Sequence, residues 1–152
     1  MIKILQNTRQ WLICWLYAVA VIHMLVGLLL PWLADAVFFR AYHHGIEAFF
    51  WGGAAPPPAH AQQLWWIALF GPTIQNVALW LAALIHFGSK YKSAFAWWAL
   101  IIGIAVWAPQ DMWISLRADC WTHVWMDCVA IVSLIPPLLW LAWHDRSNTN
   151  AK

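Results

Sequence analysis

The chain has 152 residues and is strongly apolar, with 64% hydrophobic residues and only 9% charged residues. Soluble domains carry about 25% charged residues, so this chain has too little polar surface to coat a water-facing globule. The net charge of +2 and the lack of a basic stripe argue against a nucleic-acid-binding protein. The composition therefore predicts an integral membrane protein in contact with lipids, with a single domain over residues 1–152.

Four long apolar segments follow one another along the chain. They cover approximately residues 11–33, 64–87, 94–116 and 121–143, and each is close to or above the ~20 residues with which a helix spans a bilayer. Because lipid offers no hydrogen bonds to a bare backbone, we expect all four segments to be helical. The sequence thus predicts an all-α protein, in which four transmembrane helices form an antiparallel bundle with short later loops.

Lysine and arginine are distributed unevenly between the two sides of this predicted bundle. Only Arg40 and Arg117 fall on one side. The side of the termini carries the other six, which are Lys3, Arg9, Lys90, Lys92, Arg146 and Lys152. The positive-inside rule then places both termini in the cytoplasm. The 15 tryptophans gather near the segment ends, as in the aromatic belts of membrane proteins, and this tryptophan-rich chain is expected in a bacterial inner membrane.

The connection after the first segment has an amphipathic pattern of its own. Its apolar side chains recur at helical spacing and are Phe39, Tyr42, Ile46, Phe49 and Phe50. Its polar side chains take the opposite side and are Arg40, His43, His44 and Glu47. The pattern predicts a short amphipathic helix lying in the outer membrane interface, with a solvated polar face. Residues 52–58 are expected to follow as a stiff, non-helical Gly- and Pro-rich link.

Polar side chains within or beside the apolar segments are candidates for a binding pocket, because such groups are expensive to place in lipid. The candidates are His23, Gln75, Asn76, Gln110, Asp111, Asp119, His123 and Asp127. The last three recur every four residues and would share one helix face if the fourth helix begins early enough. Such a row could relay a proton, pair with a cation or bind a metal. The alternative is a plain helix entry, with Asp119 as the N-terminal cap.

A further set of acids and imidazoles falls on the outer side. It comprises Asp35, His43, His44, Glu47, His60, Gln110 and Asp111. His43 and Glu47 are the weak candidates for a metal site, since an i,i+4 spacing allows two side chains to ligate one ion. No HExxH, CxxC or His-x-His pattern accompanies them. We therefore expect no metal and no cofactor, and we expect this polar helix face to be surface.

Prolines interrupt three of the predicted spans at Pro72, Pro109 and Pro136–Pro137. Each proline removes a backbone hydrogen bond and bends its helix. Carbonyls freed beside polar side chains could line a cavity, as they do in the discontinuous helices of transporters. The alternative is a set of tolerated membrane kinks.

Leu16-Tyr17 with His23, Gln75 after Pro72, and Leu134-Ile135-Pro136 resemble features of the EXPERA family of emopamil-binding and sterol-isomerase-like membrane proteins. The resemblance implies a four-helix core, kinked helices and a pocket for a hydrophobic ligand. The chain departs from the family in the second segment, which has no acid where the family's enzymes carry catalytic carboxylates, and in the spacing after His23. No catalytic role is carried over.

Three functions are compatible with these observations, and the sequence does not decide whether the chain is an enzyme. It favours a non-catalytic accessory or assembly protein, whose partner is another membrane protein or a second copy. The first alternative is a binder or isomerase of a hydrophobic small molecule or lipid, resembling EXPERA-type proteins, with an outward-facing polar pocket. The second is a unit that handles protons or cations. For the pocket, Asp111 and Asp127 are expected to matter more than His60 in the Pro-rich link.

Overall fold

The computed structural model describes residues 2–149, and side chains over residues 6–147. It is 91% helical. The four long helices are α1 (Ile2–Leu33), α3 (Pro57–Tyr91), α4 (Ala94–Arg117) and α5 (Trp121–Thr149). A one-turn 3-10 helix (Val37–Phe39) leads into the shorter α2 (Arg40–Trp51). Of the basic residues behind the topology prediction, Lys152 and the side chain of Lys3 lie outside what is described.

Each of the four long helices is long and apolar enough to cross a membrane, as the sequence predicts. Only 11–28% of the residues in their most apolar stretches are buried inside the protein. Large side chains such as Leu25, Leu79 and Val129 point outward instead. A surface of this kind needs lipid as its solvent, so the chain is a membrane protein by length and composition of its helices.

The start of α3 corrects the predicted link. The non-helical connection after α2 ends at Pro56, and Pro57 and Pro58 already belong to the first turn of α3. Proline is well tolerated there, because the first-turn N–H groups have no helical acceptor in any case. The earlier start matters for the site, since it places His60 and Gln63 on a helix rather than in a loop.

The long helices continue without a break through their internal prolines, which are Pro31, Pro72, Pro109, Pro136 and Pro137. Two of the freed carbonyls receive a donor from another helix, and that of Ser133 is one of them. Pro137 cannot donate to the carbonyl of Ser133, and the indole Nε1 of Trp15 donates to that oxygen at 3.1 Å. Neighbouring side chains thus replace the missing bond, which is how membrane helices tolerate proline.

The buried core lies at the end of the bundle that carries the two termini. It is built from small and branched side chains around the fully buried indole of Trp97. Beside that ring, the carboxylate of Asp145 accepts two bonds from the Arg9 guanidinium and one from Trp97 Nε1, all at 2.9 Å. Arg9 also donates to the carbonyl of Ser89 at 3.1 Å. One buried ion pair therefore ties together all four long helices.

Helix α2 lies across the opposite end of the bundle, which we call the α2 end. His43 bonds to the end of α1 and to α3, while Tyr42 bonds to α5. Three of the long helices are therefore linked through two consecutive residues of α2. This arrangement positions the polar side chains described next.

Candidate binding site at the α2 end

Two polar side chains of α2, His43 and Glu47, pack onto the protein, while apolar side chains of the same helix point outward. His43 and Glu47 are 5% and 9% exposed, whereas Phe49 and Phe50 are 48% and 62% exposed. The prediction that His43 and Glu47 form plain polar surface is therefore wrong. A buried polar group is stable only where it finds hydrogen-bond partners, so the two side chains must be satisfied by other groups of the protein.

His43 is held by a hydrogen bond at each ring nitrogen. Its Nε2 donates to the backbone carbonyl of Ala34 at 2.7 Å. Its Nδ1 accepts from the side-chain amide of Gln63 at 2.9 Å. The carbonyl can only accept and the amide nitrogen can only donate, so the two partners together fix one tautomer of the ring. His43 thus has no nitrogen left for a metal ion.

Glu47 is bound to the beginning of α3. One carboxylate oxygen accepts a 2.6 Å bond from Nδ1 of His60, and the other accepts from the backbone N–H of Ala55 at 3.2 Å. The hydrogen bond from His60, followed by the one from Ala55, lowers the pKa of Glu47 below its ordinary value of 4.5. The ionised carboxylate is therefore the form that the folded protein stabilises.

A cavity of about 270 Å³ opens among these groups. It is lined by Asp35, Arg40, His43, His44, Glu47, Ala54 and His60. Five of the lining residues belong to the acid and imidazole set recognised in the sequence, and the pocket brings these five together. Gln110 and Asp111 of that set do not line it. We call this cavity the α2 pocket.

The rim of the α2 pocket carries polar groups that are not used by the fold. Arg40 and His44 form no hydrogen bond or ion pair with any other described residue. Asp35 is 78% exposed, and its carboxylate lies 4.0 Å from the imidazole of His60, beyond hydrogen-bond distance. Buried, bonded side chains and exposed, unpaired ones thus converge on one cavity, and a cavity with convergent polar groups is a candidate binding site.

A second polar contact lies beside the pocket, between α2 and α5. The Tyr42 hydroxyl and Nε2 of His123 are 2.8 Å apart, and the two rings are nearly parallel at 4°. Burial raises the pKa of Tyr42 to about 12, and the nearby Cys120 and Asp111 contribute to the rise. The hydroxyl therefore keeps its proton at physiological pH values.

Asp127 lies deeper along α5 and is 3% exposed. Its burial confirms that it faces the protein and not lipid. The carboxylate oxygen Oδ2 is buried and has no hydrogen-bond partner among the described residues. Asp111 and His123 are its titratable neighbours. The structure thus brings three of the predicted pocket residues near one another.

The predicted row of Asp119, His123 and Asp127 is wrong at its first member. Helix α5 begins at Trp121, and Asp119 lies before it with a left-handed φ of 52°. Its carboxylate is exposed and accepts a 2.7 Å bond from Nε1 of Trp121. The expected N-terminal capping of the helix backbone by Asp119 is not what this side chain does. A short turn, not an additional helical turn, connects α4 to α5.

The remaining predicted pocket residues lie away from the α2 pocket. Nδ1 of His23 bonds to the carbonyl of Val19 at 2.8 Å, within the same helix. Gln75 donates across to α1, and Gln110 donates back to the carbonyl of Val106 at 2.6 Å. Asn76 is exposed on the outer surface of α3. None of these residues lines the α2 pocket.

Among the described residues, no group of three histidines, cysteines or acids has the geometry to hold a metal ion. Three pocket or neighbouring residues escaped the sequence reasoning: Tyr42 as a polar contact, Gln63 as the partner of His43, and Ala54 as lining. If Pro57 had been taken as the first residue of a helix, His60 and Gln63 would have been predicted to lie on that helix. Comparisons with models of protein families, with curated proteins and with solved structures find no match to this chain.

Proposed function

We propose that this chain is a ligand-binding protein of the bacterial inner membrane, which holds the polar part of an amphipathic molecule in the α2 pocket. The observation that supports this most is the outward-opening cavity with bonded His43 and Glu47 at its floor and unpaired Arg40 and His44 at its rim. Polar side chains that converge on one cavity can give a ligand several hydrogen bonds at once, which makes such a cavity the default candidate for a binding site.

In this proposal the four long helices form an antiparallel bundle, both termini are cytoplasmic, and α2 lies in the outer interface. The positive-inside distribution of Lys and Arg supports the orientation. A reporter fused to the C-terminus should then be active in the cytoplasm, and a tag inserted in residues 52–56 should be accessible from outside. A C-terminus found outside would reverse the side to which the pocket opens.

The ligand-binding proposal can be tested by filling the cavity. Ala54 lines the pocket, while Ala41 lies on α2 and does not line it. The purified protein is heated in maltoside detergent with increasing amounts of bacterial polar lipid extract. A ligand bound only to the folded state raises Tm with its concentration. Lipid should raise Tm of the wild type and of Ala41→Phe, but not of Ala54→Phe. Equal rises in all three proteins would contradict the proposed pocket.

The accessory or assembly role favoured by the sequence has a less specific basis. It would use exposed apolar side chains, and these are spread over all four long helices, for example Leu29, Trp80, Ile102 and Trp125. Contact with lipid alone accounts for that distribution. The polar cavity at the α2 end has no such explanation, which is why ligand binding is preferred.

A second candidate function, proton or cation handling, is favoured by one specific observation. Asp127 presents a buried carboxylate oxygen without a partner, near Asp111 and His123. Ionisable groups held in this way within a membrane span commonly mark an ion or proton path. In proteoliposomes with an internal pH dye, proton uptake should be lost in Asp127→Asn and unchanged in Asp119→Asn, whose carboxylate is exposed. Equal rates in both variants would exclude this role for Asp127.

A further inference from the structure

Two unpaired polar side chains of the α2 pocket share one side of α2. Arg40 and His44 are separated by one helical turn, so their side chains project from the same face, and both line the cavity. Neither is used in any contact among the described residues. A guanidinium presents parallel N–H donors that match two oxygens of a phosphate group. This wall of the pocket therefore fits a phosphate.

A negative charge, opposite to that of Arg40, is supplied by Asp35, which lies just after the end of α1. The carboxylate of Asp35 is mostly exposed, and at 4.0 Å from His60 it makes no hydrogen bond to that ring. Glu47, in contrast, is already engaged by His60 and Ala55. Asp35 is thus the acceptor that remains available for a ligand with N–H donors, such as a primary ammonium group.

The balance of charge in the pocket favours a zwitterion over a simple anion. One permanent cation, Arg40, faces two carboxylates, Asp35 and Glu47. A free phosphate or an anionic head group would meet a net negative charge before any histidine is protonated. A ligand that brings its own positive charge to Asp35 removes this repulsion.

The size of the pocket limits what it can enclose. Its volume of about 270 Å³ falls below the ~300–1,000 Å³ of sites that enclose a drug-sized molecule. The cavity therefore suits a head group and not a whole lipid. The same helix exposes Phe49 and Phe50, and these offer an apolar surface on which acyl chains can lie.

We propose that the α2 pocket binds the phosphoethanolamine head group of a membrane lipid, with the phosphate on Arg40 and His44 and the ammonium on Asp35. This inference rests on the proposed function and adds the class of ligand. It assigns the phosphodiester to two side chains of α2 and the primary amine to Asp35. Phosphatidylcholine carries the same phosphate but no N–H donor, and phosphatidylglycerol carries no cation.

The experiment compares short-chain diacyl lipids with these three head groups, titrated into the purified protein in maltoside and followed by calorimetry. The wild type should bind the ethanolamine lipid at least about fivefold more tightly than the choline or glycerol lipid. Arg40→Gln should weaken binding of the ethanolamine lipid about tenfold or more, because it removes a charge-assisted contact. Asp35→Asn should abolish the preference for ethanolamine over choline.

Arg117→Gln is the matched control, since Arg117 is exposed at the same end of the bundle and does not line the pocket. It should bind all three lipids like the wild type. Soluble O-phosphoethanolamine and inorganic phosphate complete the series, and the soluble ester should bind more weakly than the lipid. An equal affinity for the soluble ester would overturn the lipid as the source of the head group.

Equal affinity for all three lipids, or an Arg40→Gln variant that binds like the wild type, would overturn the head-group assignment. The proposed function would survive that result if Ala54→Phe still abolishes stabilisation by lipid extract. If the wild type binds none of the lipids and is not stabilised by the extract, the proposed function fails together with the inference. Tm measured without ligand checks that each variant is folded.

Discussion

The side-chain amide of Gln75 on α3 donates a 3.0 Å hydrogen bond to the backbone carbonyl of Gly27 on α1. That carbonyl is the acceptor that Pro31, four residues later, cannot serve. The two helices come close enough for this bond because Gly27 has no side chain. A Cβ atom at that position would lie only 2.8 Å from the backbone oxygen of Gly71. The glycines, the proline and the glutamine thus form one unit, in which close packing and hydrogen bonding depend on each other.

A double-mutant cycle tests this relationship. Gln75→Leu keeps a Cγ atom beside Gly27 but removes the amide donor. The substitution should lower the free energy of unfolding by about 0.6–1.7 kcal/mol. Pro31→Ala restores an N–H that can serve Gly27, so the same substitution in that background should cost almost nothing. Unfolding is measured by denaturant titration in mixed micelles. Asn76→Leu, on the exposed neighbour, is the control. Equal costs in both backgrounds would show that Gln75 does not replace the proline's missing bond.

Gly88 is predicted to be intolerant of any side chain. A Cβ atom there would lie 2.5 Å from the ring of Trp97, which is fully buried and bonded to Asp145. Gly88→Ala should therefore destabilise the protein by about 1–3 kcal/mol, the usual effect of overpacking a core. Gly103→Ala is the control, because its Cβ would meet no atom within 4 Å, and it should be neutral or stabilising by up to about 1 kcal/mol. Similar effects of the two substitutions would contradict the packing described for Trp97.

The buried ion pair at the terminal end should be the most sensitive point of the fold. The side chains of Arg9 and Asp145 are 13% and 0% exposed. Asp145→Asn leaves the Arg9 guanidinium largely buried without a counter-charge, and should cost about 3–5 kcal/mol. Arg146→Gln, on the exposed neighbouring residue, should change stability by less than about 0.5 kcal/mol. Denaturation of the two variants side by side is the measurement, and an Asp145→Asn protein as stable as Arg146→Gln would refute the role of the pair.

The local pattern predicted much of the secondary structure, including the four long helices and the grouping of His43 and Glu47 on one face of a helix. It could not predict which way that face turns. The answer depends on Gln63 and on the carbonyl of Ala34, and periodicity reports which residues share a face but not what the face meets. The hydrophobic pattern suggested that His43 and Glu47 face water, but in the folded chain both pack against other parts of the protein.

The core ion pair was equally invisible in the sequence. Arg9 and Asp145 are separated by 136 positions, and each looks like an ordinary charge flanking a membrane span. In the same way, Asp119 fits an i,i+4 row with His123 and Asp127 only if the helix begins before it. The chain turns there through a left-handed residue, and a helix boundary shifted by two residues changes which side chains share a face.

Acid should loosen the attachment of α2 to the beginning of α3. The pKa of Glu47 is lowered by its bonds to His60 and Ala55, so the folded state favours the carboxylate. The stabilisation that the Glu47 carboxylate gives to the folded state is complete above its ordinary pKa of 4.5. It is lost as the pH falls from there through the lowered pKa. A spin label at Gly53 should gain mobility over that range in the wild type. Glu47→Gln should remove this transition, and a wild-type label indifferent to acid would contradict the described contacts.

The central claim is that the α2 pocket holds a lipid by its head group. Native mass spectrometry of protein released from nanodiscs, prepared with equal amounts of ethanolamine, choline and glycerol phospholipids, tests this most directly. The wild type and Ala41→Phe should retain one lipid, predominantly the ethanolamine lipid, at activation energies that remove bulk lipid. Ala54→Phe should retain none under the same conditions. Retention of one lipid by Ala54→Phe at the wild-type level would contradict binding in the α2 pocket.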